Sequence, residues 1–434
     1  MFNLTVLRLI LLRLGRLSRR KWLIFLGTFL IIILTGFLIL DSILLVVNQF
    51  TNFYHWIDCL SGKMLARQEV CVAWEKDKII GNLCSDWCQG SSSVIQSCPS
   101  TRSFHGGKEC IFYGEWKNSE IIVKAKKLKS TNMMDVDLKL TRDEIIQGLA
   151  SIVSTAFDGS ENIDSSYLTI PWTGSPSKLS SLTNKELHNL WILAQDNEFI
   201  YSTFFGSLTQ WNPIKLLPQL KATCGHFYAV EYIPRILQLT DIMPDKLNTR
   251  PFVASFHRRV HIATMLLTWL RDLEMSGYNL HLCDVKYDQF GITDNGSIVL
   301  IDSDMLYPRE IVRESIQHID SCIKDEDCDF IDCKGRCKPS PIGSGDICEI
   351  NDDSDNNLKR FCRNLFFINE ITSTTTSSQI KVGLFSHLPS SQMESDVYQL
   401  QQLCSKLWLK QSDLIATINQ MIDLTAAIQS RSHL

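Results

Sequence analysis

Two aspartates, Asp284 and Asp302, flank a stretch whose pattern should fold back on itself. Between them runs Gly291–Ile301, in which apolar residues surround Asp294-Asn295-Gly296. An Asn-Gly pair between two short apolar runs is a strong hairpin signal, because both residues tolerate positive φ. A hairpin there brings Asp284, ahead of its first strand, towards Asp302, behind its second. Two converging carboxylates suit phosphoryl transfer, in which one orients the attacking hydroxyl and the other holds a metal that neutralises phosphate charge. The bland alternative is a surface hairpin with scattered carboxylates.

The stretch HLCDVKYDQFGITDNGSIVLIDSD resembles the catalytic segment of protein kinases, H-R-D-L-K-x-x-N followed by two strands and D-F-G. Asp284-Val285-Lys286 stands for D-L-K, Gln289 for the metal-binding Asn, and Asp302-Ser303-Asp304 for D-F-G. Leu282-Cys283 replace His-Arg, and Asp304 replaces Gly. The resemblance implies Asp284 and Lys286 as catalytic residues and Asp302 and Gln289 as metal ligands.

Such a site needs a lysine on a strand, a glutamate on a helix and a hinge. IFYG, EWKNSE and IIVKAKKL read as strand, turn, strand from Cys110. Lys124 is the candidate for the nucleotide, with Ile122 as an apolar roof; a solvent-facing lysine is the alternative. No G-x-G-x-x-G precedes it, and Gly114 is the nearest glycine. A long helical stretch is expected from Thr183 to about Leu208, and Glu198 is preferred over Glu186 as the lysine's partner, against an ordinary exposed glutamate. HFYAVEYIP reads as a strand entering the hinge, where Glu231 and Ile233 would offer backbone groups to adenine and Val230 would be the gatekeeper; a plain buried strand would look similar. Residues 255–276 have apolar residues at helical spacing, and Gly277 stops the helix.

Residues 22–40 carry no charge. At ~1.5 Å per residue they reach roughly 29 Å, enough for a hydrocarbon core of ~30 Å. Arg8, Arg13, Arg16, Arg19, Arg20 and Lys21 precede them, a flank expected to stay cytosolic. An uncleaved anchor is therefore expected, with a cleaved signal peptide as the alternative. Arg19-Arg20-Lys21 could also serve as a retention address. With those six positive charges set apart from the overall −4, the rest of the chain carries −10, which argues against nucleic acid as a partner.

The 15 cysteines include six over 59–110 and six over 322–362, as expected of disulfides in an oxidising compartment. Zinc is the alternative for Cys84-x3-Cys88 and Cys333-x3-Cys337, although no paired CxxC sets or nearby histidines complete a site. Asp135, Asp137 and Glu144 fall at EF-hand spacing, but the required glycine is Leu138, so calcium is not expected and an ordinary helix start is preferred. Asn295-Gly-Ser is a glycosylation sequon, usable only in the lumen.

The basic tail with residues 22–47, the early cysteines, Asn197-Glu198-Phe199, ATCGHFYAVEYIP, CDVKYDQFGI and VLIDSD together resemble the divergent-protein-kinase-domain family of the endoplasmic reticulum. The resemblance implies an α+β, bilobal protein-kinase-like fold preceded by a single transmembrane helix and a disulfide-rich segment, in a type II reticulum membrane protein. The expected parts are a cytosolic tail (1–21), an anchor (22–47), a cysteine-rich lumenal segment (48–110), an N-lobe with an insert (111–235) and a C-lobe with the second cysteine cluster (236–434). ATP with Mg²⁺ or Mn²⁺ is the implied cofactor, and a lumenal protein or glycan the acceptor. The alternative is a pseudokinase acting as a lumenal binding or regulatory module, favoured by the missing Gly-rich loop, Gln289 and Asp304.

Overall fold

The computed structural model describes residues 67–68, 70–89, 94–97, 108–126, 140–157, 167–170, 175–206, 215–242, 255–319, 321–339, 346–350, 355–367, 383–386, 393–406 and 411–431. Residues 66–434 form one compact unit; residues 1–65 lie outside the described residues.

The central sheet has five strands in the order β1-β2-β3-β7-β6, all antiparallel: β1 (Ile95–Ser97), β2 (Lys108–Trp116), β3 (Ser119–Lys126), β7 (Phe227–Glu231) and β6 (Leu220–Cys224). The β2–β3 turn is Lys117-Asn118, both at positive φ, the geometry of a type I′ hairpin. A small hairpin pairs β4 (Tyr167–Ile170) with β5 (Ser175–Lys178), in the stretch 159–182 whose Ser, Thr, Gly and Pro content marks it as an insert. On β3, Ile121, Val123 and Ala125 are buried on one face. Alternation along the strand puts Ile122 and Lys124 on the other, level with Val230 and Tyr228 of β7.

Residues 80–89 of the early cysteine-rich segment cover the β6 edge of this sheet. Helix α1 (Cys84–Gln89) follows residues 80–83, which bond along β6: Leu83 donates to the Thr223 carbonyl over 3.0 Å, and Gly225 to the Ile80 carbonyl over 3.0 Å. Trp87 packs edge-on to Phe227, and Cys84 is bonded to Cys224.

Helix α2 (Arg142–Ala156) starts in a capping box, in which Glu144 accepts from Thr141 N–H over 2.6 Å. Glu144 is thus a helix-start residue; Asp135 and Asp137 lie outside the described residues. The helical stretch expected over 183–208 is in fact two helices, α3 (Asn184–Leu193) and α4 (Asn197–Phe205). Asp196 causes the break, because its carboxylate accepts the Glu198 N–H over 3.1 Å as an N-cap, in competition with a continuous helix.

After β8 (Arg235–Ile236) and the short α5 (Leu239–Ile242) comes α6 (Phe256–Met275), capped by Ser255 and closed by Gly277 at φ +76°. Its buried face (Val260, Ala263, Leu266, Leu267, Leu270, Leu273) carries the main core, which continues up to Tyr228 and Val230 of the sheet. The chain then forms β9 (Leu280–Leu282), β10 (Phe290–Ile292), β11 (Ile298–Leu300) and β12 (Leu306–Pro308). The β10–β11 hairpin turns through Thr293–Ser297, and only Gly296 adopts positive φ, at +80°. Thr293 accepts from Gly296 N–H over 2.9 Å, so the Asn-Gly pair ends a three-residue loop rather than forming a two-residue one.

Helix α7 (Arg309–Gln317) packs on a second, disulfide-dense core made by Val312, Ile316, Cys283, Cys322, Cys328, Cys333 and Cys348. The hairpin β13 (Gly335–Lys338) with β14 (Ile347–Ile350) belongs to this part. Then come α8 (Asn357–Phe361), α9 (Glu394–Ser405) and α10 (Gln411–Arg431).

Six disulfides join described residues: 71–88, 84–224, 283–333, 322–337, 328–348 and 362–404. Three reach out of the sequence clusters, to Cys224, Cys283 and Cys404. All four cysteines of the spacings read as near-zinc are oxidised.

The expected fold class needs one correction. Mixed helix and sheet with disulfide-rich parts are present, but among the described residues no helix is long and apolar enough to cross a membrane. The apolar run 22–47 that carried this expectation lies outside the described residues.

Candidate functional site

The site grows from the β3–β7 register. Lys124 stands opposite Tyr228, whose hydroxyl donates to Asp196 over 3.0 Å. Asp196 caps α4, so this bond fixes the start of that helix beside the lysine. The first turn of α4 then carries Glu198 inward, with Phe199 edge-on to the Tyr228 ring. The Lys124 ammonium donates to Glu198 Oε1, both side chains being at most 10% exposed. A buried pair of this kind is expensive to break from one side, since it leaves an uncompensated charge.

Lys124 has a second acceptor, the Ile301 carbonyl at 2.8 Å. Ile301 N–H in turn donates to the Gln289 carbonyl over 2.8 Å. The Gln289 side chain donates from Nε2 to Asp284 Oδ2 over 2.9 Å, while its Oε1 accepts the Lys286 N–H over 3.4 Å. Lys286 Nζ donates to the same Asp284 oxygen over 2.8 Å. A continuous run of polar contacts therefore joins Glu198, Lys124, Ile301, Gln289, Asp284 and Lys286. The Asp284 hydrogen bond raises the Lys286 pKa, so that ammonium stays charged.

Ile301 is followed directly by Asp302-Ser303-Asp304. Asp304 N–H approaches Asp302 Oδ1 at 3.4 Å, and Ser303 is fully buried. Oxygens of Glu198, Asp302 and Asp304 lie within 4.8 Å of one another. Three clustered carboxylates are a hard-oxygen donor set of the kind Mg²⁺ or Mn²⁺ takes. Cys322, Cys328 and Cys337 also cluster, but their sulfurs are in disulfides and offer no thiolate.

At the hinge, Glu231 N–H donates to the Gln219 carbonyl over 2.8 Å and so is not a donor for adenine. The Glu231 carboxylate bonds Lys215 over 2.6 Å and Gln219 N–H over 3.2 Å. Burial alone would raise its pKa, but these bonds outweigh that and lower it. Ile233 is buried and faces Gly291: a Cβ on Gly291 would sit 2.5 Å from Ile233 Cγ2. The glycine is thus what lets the hinge touch the β10–β11 hairpin.

Asp196 and Asp304 join the site although neither was a site candidate in the sequence. Asp196 had a visible signal, an Asp directly before Asn197-Glu198, which is an N-cap pattern. Asp304 occupies the place of the expected glycine.

Residues 190–407 match the family model described as the protein-kinase domain of FAM69, and residues 15–150 match that described as the N-terminal cysteine-rich ER region of FAM69. Among solved structures, "The complex structure of Rv3197-erythromycin from Mycobacterium tuberculosis" is 14% identical, with 65% of this chain and 70% of that chain covered at a TM-score of 0.26. A likeness of that size carries no argument.

Proposed function

The chain belongs to the FAM69 family, with its protein-kinase domain and cysteine-rich ER region, and on that footing we propose that it transfers phosphate from ATP, with Mg²⁺ or Mn²⁺, to a protein or glycan in the reticulum lumen. The observation that carries this reading is the Lys124 ammonium, held between Glu198 and the carbonyl next to Asp302. A lysine held there can grip the α- and β-phosphate oxygens, with Glu198 keeping it extended. Asp302 and Asp304 would hold the divalent ion, which when bound supplies positive charge against the phosphates. Asp284 is placed to orient an acceptor hydroxyl and take its proton. Lys286, charged and beside it, is placed to offset charge on the phosphoryl group in flight. The six disulfides suit the oxidising lumen.

The test is a thermal shift of the purified full chain with ATP and Mn²⁺, together with ³²P transfer to lumenal extracts. Transfer should need the metal and disappear in Asp284→Asn and in Asp302→Asn. Transfer that survives both substitutions would overturn the site.

One observation favours a second reading. Both ends of the Gln289 amide are engaged, on Asp284 and on Lys286 N–H. A chain that uses this residue for scaffolding would bind nucleotide as a regulatory module without turning it over. A nucleotide-dependent shift with no metal-dependent transfer would assign the protein to that class.

A further inference from the structure

The segment after Asp304 holds a residue that grips the candidate catalytic loop. Asp332 N–H donates to the Cys283 carbonyl over 2.8 Å. Its carboxylate Oδ2 accepts the Val285 N–H over 2.7 Å. These are the two peptide groups that border Asp284, so one residue sets the backbone on both of its sides. The next residue, Cys333, is bonded through sulfur to Cys283.

The grip is itself held from behind. Asn364 Nδ2 donates to Asp332 Oδ2 over 2.6 Å, and Arg363 Nη2 to the Asp332 carbonyl over 2.7 Å. Phe330 and Cys333 exchange two backbone hydrogen bonds, of 2.8 and 3.0 Å, closing a tight turn around Ile331-Asp332. Cys283 and Cys333 are both buried in the disulfide-dense core with Val312 and Ile316. The free swing of a loop is thereby removed at the position where a carboxylate must meet an acceptor hydroxyl.

We propose that Asp332 is the positioning residue for Asp284, acting through the Cys283 and Val285 peptide groups, and that the second cysteine cluster exists to hold it there. The proposal rests on the phosphotransfer reading for its kinetic consequence, but not for its structural one. Asp332 contacts the peptide groups beside Asp284 and not its carboxylate; a displacement of Asp284 on the ångström scale is what its loss would cause, and misplacement of that size can cost up to about 100-fold in rate.

The test uses the full chain made in the secretory pathway. Asp332→Ala should lower kcat for transfer by about tenfold or more. KM for ATP and the thermal shift with ATP and Mn²⁺ should not change, since Lys124 and Glu198 lie on other elements. Asp332→Asn keeps an oxygen for the Val285 N–H and should recover most of the rate. A fall in nucleotide affinity alongside kcat, or an unchanged kcat, would overturn the proposal. Should the wild-type chain transfer no phosphate, the function reading fails by itself, and hydrogen exchange decides the positioning role. Faster exchange across 282–289 in Asp332→Ala, with 119–126 unchanged, would support it; unchanged exchange across 282–289 would overturn it.

Discussion

Lys124 and Ile301 are 177 positions apart in the chain, and the ammonium of one donates to the carbonyl of the other over 2.8 Å. The sheet is therefore tied to the residue that follows β11 by a charged group that also serves Glu198.

Lys124→Met should destabilise the chain by about 3–5 kcal/mol, because it strands a buried carboxylate. Pairing it with Glu198→Leu should return most of that loss, since a buried ion pair replaced by apolar residues is often close to neutral. Urea denaturation at pH 7 reads both. A double variant no more stable than Lys124→Met would mean that packing, and not charge, sets the cost.

Arg360 is 1% exposed and donates to Asp355 over 2.9 and 2.7 Å and to Asn357 Oδ1 over 3.0 Å. Asn357 Oδ1 also accepts the Leu282 N–H over 2.9 Å, two residues before Asp284. Arg360→Met should cost about 3–5 kcal/mol, with Asp355 left buried and charged. Denaturant midpoints measure it; a loss under 1 kcal/mol would show that Arg363, 3.6 Å from Asp355, and the Lys334 N–H are enough to hold the carboxylate.

His281 Nδ1 faces the Arg360 guanidinium at 3.1 Å. Desolvation, then the Arg360 and Arg309 charges, hold its pKa well below the usual 6.5. The folded chain therefore binds this proton less readily than the unfolded one. Stability should be complete above about pH 6.5 and fall as pH drops below it. His281→Gln should flatten that fall between pH 6.5 and 5. Some slope should persist through His226, which desolvation pushes down to about 4. An unaltered slope in His281→Gln would mean that the ring is protonated in the fold.

Ile331 sits at φ +58° while 45% exposed. It is the first central residue of the Phe330–Cys333 turn, and Asp332, the second, is not at positive φ, a pattern that favours Gly at the first position. Relief of about 1–2 kcal/mol of strain, set against about 0.5–1 kcal/mol of added chain entropy, should leave Ile331→Gly slightly more stable. Thermal unfolding decides it. A clear loss would show that the side chain packs where its exposure says it does not.

Much of the core geometry was legible because it rests on local pattern. The Asp294-Asn295-Gly296 turn, the α6 periodicity and the alternation that singled out Lys124 each lie within one short window. Glu198 could be preferred over Glu186 because it lies nearer the next strand and flanks aromatic residues. What stayed hidden depends on distance along the chain. Nothing near Asp332 says that it grips residues 283 and 285, and cysteine spacing could not reveal that Cys84 belongs with Cys224. The split between α3 and α4 is marked only by the polar run Gln195-Asp196-Asn197-Glu198, which the exposed face of one long helix could also carry, while the cap that makes the break is a single side-chain bond.

The Cys84–Cys224 bond has a consequence for how the protein is made. Its partners are 140 positions apart. At about 5–20 residues per second, synthesis leaves Cys84 waiting on the order of 10 s for its mate to emerge. Cys71 and Cys88 are already at hand during that interval, and either can capture it. Cys71 and Cys88 are each other's partners, so any early pairing of either with Cys84 has to be undone by thiol exchange, and yield should depend on the oxidoreductases of the cell that produces it.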